Sequence, residues 1–268
     1  MTRLTEEDVR LLTQRLVQFE TVLEEVAGIG LRELAISTVG DGQVCVPLHG
    51  ARTAAVPVTT GQGVISGFTE CVVVILEHLG CEAWVTHQPD VRGIQEAYGA
   101  GAEVVFLADD FRFIALDVRR GRCIDDDPAT ADGYVTALEA AAGKLFGRDV
   151  LLFGLGPVGK AAARRLVSRG ARVLAVEPDA ARLEAALEIG LKIEPVEPDD
   201  GLRRCDLIFD ATPAEGFIDV GQIKPATIAA VPGLPSAFTA AAQEALGSRH
   251  IHEPLAVGVA VMAARALV

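Results

Sequence analysis

The sequence predicts an α/β protein of two domains, and three observations lead there. Apolar strand-like runs alternate with helical stretches along the whole chain. Near its middle, Val150-Leu151-Leu152-Phe153 leads directly into Gly154-Leu155-Gly156-Pro157-Val158-Gly159, a short strand followed at once by Gly-x-Gly-x-x-Gly. At 268 residues, with 50% hydrophobic side chains, the chain is long enough to build two cores.

Taken in order, residues 5–27 have helical spacing, with Val9, Leu12, Leu16, Phe19, Leu23 and Val26 on one side and Thr5 as N-cap. Residues 28–52, punctuated by glycine, read as irregular. Val56 to Thr60 reads as a strand entering the loop Gly61-Gln62-Gly63, with a helix over 64–79 behind it. Strands follow over 82–86, 103–108 and 113–117, with a helix over 91–99 between the first two. A connecting helix over 133–146 leads to the boundary, placed at 146. Residues 1–146 are then a helix-rich α/β substrate and lid domain, and 147–268 a dinucleotide-binding domain with a C-terminal helix over 255–267.

The second half has the order of a Rossmann domain with a parallel sheet. Gly154 permits the strand-to-helix turn, Gly156 lets a pyrophosphate approach the backbone, and Gly159 lets the helix lie close to the strand. Leu155, Pro157 and Val158 complete the loop, whose free N–H groups suit phosphate. The next strand, 171–176, ends in Glu177, 21 residues beyond Gly156. An acidic residue there accepts from the ribose hydroxyls and repels a 2′-phosphate. Pro178-Asp179 follows, with no arginine to welcome that phosphate, so NAD is the expected cofactor. Further parallel strands over 205–210 and 227–231 end in Ala211-Thr212-Pro213 and Pro232-Gly233. Those two loops are expected to border the nicotinamide half.

A net charge of −13 excludes the basic stripe of a nucleic-acid binder and is compatible with a cationic substrate. Five scattered cysteines without a Cys-x-x-Cys pair read as reduced thiols, and no set of side chains has metal-ligand spacing. The N-terminus does not read as a signal peptide and no run is apolar enough to span a bilayer, so a cytoplasmic protein is expected. Lysine is absent from the first 143 residues. Dehydrogenases that place a catalytic lysine in the substrate domain cannot operate unaltered here. The polar candidates left are Asp109 and Asp110 at a strand end, Glu253, Thr59, Thr60, His49, His87 and His252. A carboxylate facing the nicotinamide suits an amine, which it anchors by a charge-assisted hydrogen bond.

Several segments together resemble the PylD family of pyrrolysine biosynthesis proteins. They are Val56-Pro-Val-Thr-Thr-Gly-Gln-Gly-Val-Ile-Ser-Gly-Phe68, Pro89-Asp90-Val91, Leu107-Ala-Asp-Asp110, Gly154-Leu-Gly-x-Val-Gly159, Ala211-Thr-Pro213, Pro232-Gly-x-Pro235 and Glu253-Pro-Leu255, with Leu4-Thr5 at the start. The resemblance implies NAD-dependent oxidation of L-lysine-Nε-3-methyl-D-ornithine at its terminal amine, then cyclisation with loss of ammonia. On matching positions it implies that Asp109 and Glu253 are the carboxylates holding substrate amino groups. It implies that Thr59, Thr60, Gly63 and Phe68 are pocket residues and Leu4 a residue shielding the site. Two other readings stay open: a related amine or imine dehydrogenase, such as an ornithine-cyclodeaminase-like enzyme, and a non-catalytic NAD-sensing module. Assembly also stays open, with a homodimer among the alternatives.

Overall fold

The structure is a computed structural model and describes residues 12–40, 47–61 and 67–268. The expected start of the N-terminal helix, with Leu4 and Thr5, lies outside the described residues, as do Cys45 and Gly63. The helices are α1 (Leu12–Ala27), α2 (Leu31–Ser37), α3 (Phe68–His78), α4 (Asp90–Gly99), α5 (Asp126–Ala142), α6 (Pro157–Ser168), α7 (Ala180–Glu188), α8 (Pro198–Arg204), α9 (Ala240–Leu246) and α10 (Ala256–Ala266). The chain divides into two compact units. One gathers the described residues up to Gln18, Leu31–Ala129 and Leu255–Val268; the other gathers Phe19–Gly30 and Thr130–Pro254.

The first unit is built on five strands: β1 (Arg52–Val56), β2 (Glu82–Val85), β3 (Val104–Ala108), β4 (Phe113–Asp117) and β5 (Arg122–Asp125). Their order is β2-β1-β3-β4-β5, the first three parallel and the last two antiparallel. The inner strand β1 is buried from Thr53 onward. Its expected range, 56–60, is thus shifted to 52–56, because Pro57 has no N–H for a ladder that is paired on both sides. Ala54, Val56, Ala97, Ala102 and Val105 form a core between β1, β3 and α4. The stretch expected to be irregular holds α2, whose Leu31, Leu34 and Ala35 are buried. Also unforeseen was β5, a short, half-exposed edge strand.

The second unit carries β6 (Asp149–Phe153), β7 (Arg172–Val176), β8 (Ile193–Pro195), β9 (Leu207–Asp210), β10 (Ile228–Ala230) and β11 (His250–Ile251). All pairs are parallel, in the order β11-β10-β9-β6-β7-β8. Counted from the β8 edge, the first six-strand numbering is 3-2-1-4-5-6, the doubly wound Rossmann order. Its switch point, where ligands bind, lies between β6 and β9.

Two sequence expectations about the division are corrected. The units do not meet at residue 146: α5 begins at Asp126 rather than 133, and the chain passes from one unit to the other within it. The C-terminal helix α10 belongs to the first unit, where it packs on α2, α3, β4 and β5. Among the described residues, no helix is long and apolar enough to cross a membrane.

Candidate functional site

In the second unit, the expected cofactor residues meet at the carboxyl edge of the sheet. Gly154 has φ of 86°, and a Cβ there would stand 2.8 Å from the Ala211 carbonyl oxygen across the switch point. A Cβ at Gly159 would stand 2.0 Å from the Gly154 oxygen, so only glycine lets α6 lie this close. A Cβ at Gly156 would meet nothing within 4 Å. That residue is the N-cap of α6, with no side-chain hydrogen bond capping the helix and Pro157 in the first turn. Three glycines thus answer three separate demands, and the open one faces the N–H groups that suit a pyrophosphate.

Glu177 follows β7 and reaches back to this loop. One carboxylate oxygen accepts from the Leu155 N–H at 2.7 Å and the other from the Asp179 N–H at 3.0 Å. Asp179 in turn caps α7 through the N–H groups of Ala181 and Arg182. Pro178 is held between these two anchored neighbours. Glu177 is therefore fixed beside the glycine loop, at the position from which the dinucleotide-binding Rossmann motif contacts a ribose.

On the other side of the switch point, Thr212 Oγ1 accepts from the Ala214 N–H at 3.1 Å. A hydroxyl that accepts in this way keeps a proton to donate. A Cβ on Gly233 would stand 2.4 Å from the Thr212 carbonyl oxygen, so the loops 211–213 and 232–233 lie against each other. All the cofactor residues expected from the sequence thus share one edge. The tight turn at Gly154, the open approach at Gly156 and the placed carboxylate fit a dinucleotide.

The first unit gathers its candidates at the carboxyl ends of β1 and β3. Asp109 Oδ1 accepts from the N–H groups of Phe111 and Arg112, at 2.8 and 2.7 Å, and so closes the β3–β4 turn. Its Oδ2 makes no hydrogen bond among the described residues. Gly61, at φ of 74°, runs close to the Asp110 carboxylate. Phe68 opens α3 and meets Phe113 edge to face, with ring centroids 5.3 Å apart. Thr59 donates from both its N–H and its hydroxyl to Asp90, at 2.8 and 2.5 Å, which holds that carboxyl below the ordinary aspartate range. Thr60 is exposed at the same loop. His87, a weaker candidate, pairs with Glu96 at the surface.

Glu253, in the second unit, is buried. Its backbone is clamped by Tyr134, whose hydroxyl donates to the Glu253 carbonyl at 2.5 Å and accepts from the Glu253 N–H at 2.8 Å. Nothing in the sequence spacing pairs residues 134 and 253. Asp210 was equally unforeseen, although an acidic residue closing the apolar run Leu207-Ile208-Phe209 is a visible oddity. Among the described residues, no group of three or more His, Cys, Asp or Glu could hold a metal ion.

A family model described as the pyrrolysine biosynthesis protein PylD, N-terminal domain, matches residues 8–124. Another, described as NADP oxidoreductase coenzyme F420-dependent, matches residues 149–226. A pyrrolysine synthase of Methanosarcina acetivorans is 33% identical over 262 residues, covering 98% of each chain. The chain belongs to the PylD family. A second relative, the pyrrolysine synthase of Methanosarcina barkeri, is 30% identical over 98% of this PylD-family chain and 97% of its own. Quinate dehydrogenase from Corynebacterium glutamicum, solved with NAD, has a TM-score of 0.55 at 14% identity, over 82% of this chain and 94% of that one. Shikimate dehydrogenase from Aquifex aeolicus has a TM-score of 0.51 at 12% identity, over 77% and 88%. Those two share the fold alone. The first unit of this PylD-family chain contains no lysine.

Proposed function

We propose that this PylD-family chain is an NAD-dependent dehydrogenase that oxidises the terminal amine of L-lysine-Nε-3-methyl-D-ornithine and so forms pyrrolysine. The observation that carries this is the full-length relationship to two pyrrolysine synthases. The dinucleotide-shaped glycine loop supports it independently. NAD, when bound, supplies the acceptor for two electrons and one hydrogen from the carbon bearing that amine. The amine becomes an imine, the α-amine of the same moiety attacks the imine carbon, and ammonia leaves as the five-membered ring closes. This closure is intramolecular and asks only for a held conformation.

The loop Gly154–Gly159 takes the pyrophosphate, and Glu177 and Pro178 border the adenosine ribose. Ala211, Thr212, Pro213, Pro232 and Gly233 border the nicotinamide half. In the first unit, Asp109 offers Oδ2 to a substrate ammonium, while Thr59, Thr60 and Phe68 are pocket residues. In the second unit, Glu253 is the other amine-binding carboxylate, held in place through its backbone by Tyr134. Leu4 and Gly63 keep the shielding and loop roles that the family motif gives them. The substrate carries three ammonium groups and one carboxylate, about +2 on ordinary amine pKa values. A protein of charge −13 attracts such a ligand.

The test is an assay of the purified protein with NAD or NADP and synthetic lysine-Nε-3-methylornithine, reading reduced cofactor and product mass. NAD-linked turnover with a product mass lower by ammonia and two hydrogens is expected. No reduced cofactor with either dinucleotide would sink the reading. In the same assay Glu177→Ala should raise KM for NAD and narrow the preference over NADP, and an unchanged preference would remove Glu177 from the ribose site.

A further inference from the structure

Asp210 is the last residue of β9, fully buried at the switch point, and touches no solvent from which a cofactor could approach it. Its carboxylate is nonetheless used at both ends. Oδ1 accepts from the Thr212 N–H at 3.0 Å, bending the chain into the loop 211–213. Oδ2 accepts from the Ala237 N–H at 2.9 Å, far along the segment that follows β10. Its backbone carbonyl accepts from the Gly233 N–H at 3.0 Å. One residue therefore ties both loops on the nicotinamide side of the sheet to the end of one strand.

We propose that Asp210 is a positioning residue that holds the loops 211–213 and 232–237 in the arrangement that receives the nicotinamide half of the dinucleotide. The proposal rests on the cofactor reading above. Aspartate suits the task because a short side chain must accept from two N–H donors pointing at it from different segments. Asparagine offers one acceptor and would turn its own N–H groups toward the other donor. An apolar residue would leave two buried N–H groups without acceptors. Keeping a carboxyl here has a cost, since burial pushes its pKa up to about 7 against the pull of the Ala237 and Thr212 N–H groups. The ADP half of the site is held elsewhere, by the glycine loop and Glu177, and does not depend on Asp210.

This separation defines the experiment. Dissociation constants for NAD and for ADP-ribose, which lacks the nicotinamide ring, are measured by calorimetry on the wild-type chain and on Asp210→Asn. Loss of one buried hydrogen bond predicts roughly tenfold weaker NAD binding, with ADP-ribose unchanged to within about twofold. Unchanged NAD affinity, or an equal loss for both ligands, overturns the positioning role. Should the variant fail to fold, amide exchange in the wild-type protein decides: Thr212 and Ala237 should be slowed by NAD and not by ADP-ribose, and equal slowing by both overturns the proposal. A wild-type protein that binds neither ligand overturns this role together with the cofactor reading, a different result from selective failure of Asp210.

Discussion

Gly156 and Gly159 stand three residues apart on the same loop and are required for opposite reasons. At Gly159 an added methyl would press to within 2.0 Å of the Gly154 carbonyl oxygen, so α6 would have to move away from β6. Gly159→Ala should therefore cost about 1–3 kcal/mol of stability, the usual range for forced overpacking. At Gly156 φ is −67° and an added methyl meets no protein atom. Gly156→Ala should leave stability within about 1 kcal/mol. It should still weaken NAD binding by roughly tenfold, because the methyl takes up the approach of the pyrophosphate. Thermal melts and calorimetric NAD titrations of the two variants check this, and equal losses of stability would refute the division. These glycines were legible in the sequence because each spacing encodes a backbone demand. Asp210 was not, because its importance lies in two N–H donors, one of them 27 residues away in the chain.

At the scale of elements, Arg122 on β5 joins the sheet edge to α10. Its guanidinium pairs with the buried Asp117 at 2.9 Å and donates to the carbonyls of Arg265 and Ala266 at 3.2 and 3.4 Å. Burial alone would raise the Asp117 carboxyl, but the Arg120 N–H and the Arg122 guanidinium outweigh it and hold it below the ordinary range. A folded-state pKa below the unfolded value gives stability that is present above about pH 4 and lost as pH falls through the lower folded value. Arg122→Ala should thus lower stability by about 1–2 kcal/mol at pH 7, since the arginine is itself half-exposed. The deficit should shrink below about pH 4; denaturant titrations at pH 7 and pH 3 measure it, and a deficit independent of pH would exclude the ion pair as its source. β4 was readable from its strand pattern, whereas β5, four residues with two exposed, carried too little periodicity to be seen. The helix over 255–267 was readable as well, but periodicity names a helix without naming the sheet that it covers.

For the whole molecule, the order of the units along the chain matters more than any single boundary. The sequence places a strand-helix alternation before residue 146 and another after it; the parallel part of each sheet is built that way, while β3, β4 and β5 follow one another as an antiparallel meander. What the alternation cannot show is that the chain returns to its first unit at Leu255. Ten of the eleven residues of α10 are buried, and they pack against α2, α3, β4 and β5. A helix apolar on all sides cannot be left in water, and the surface that it covers cannot be either. A fragment ending at 146 would lack this helix and should fail to fold. A full chain cut after Pro254 should likewise lose the first unit, yet leave in place the glycine loop, Glu177 and every strand of the parallel sheet. The truncated protein is therefore expected to bind ADP-ribose and to show broad, exchange-prone amide signals from the first unit only. Cooperative folding of the 1–146 fragment, read by near-ultraviolet circular dichroism and a single sharp melt, would show that α10 is dispensable and restore the boundary at 146.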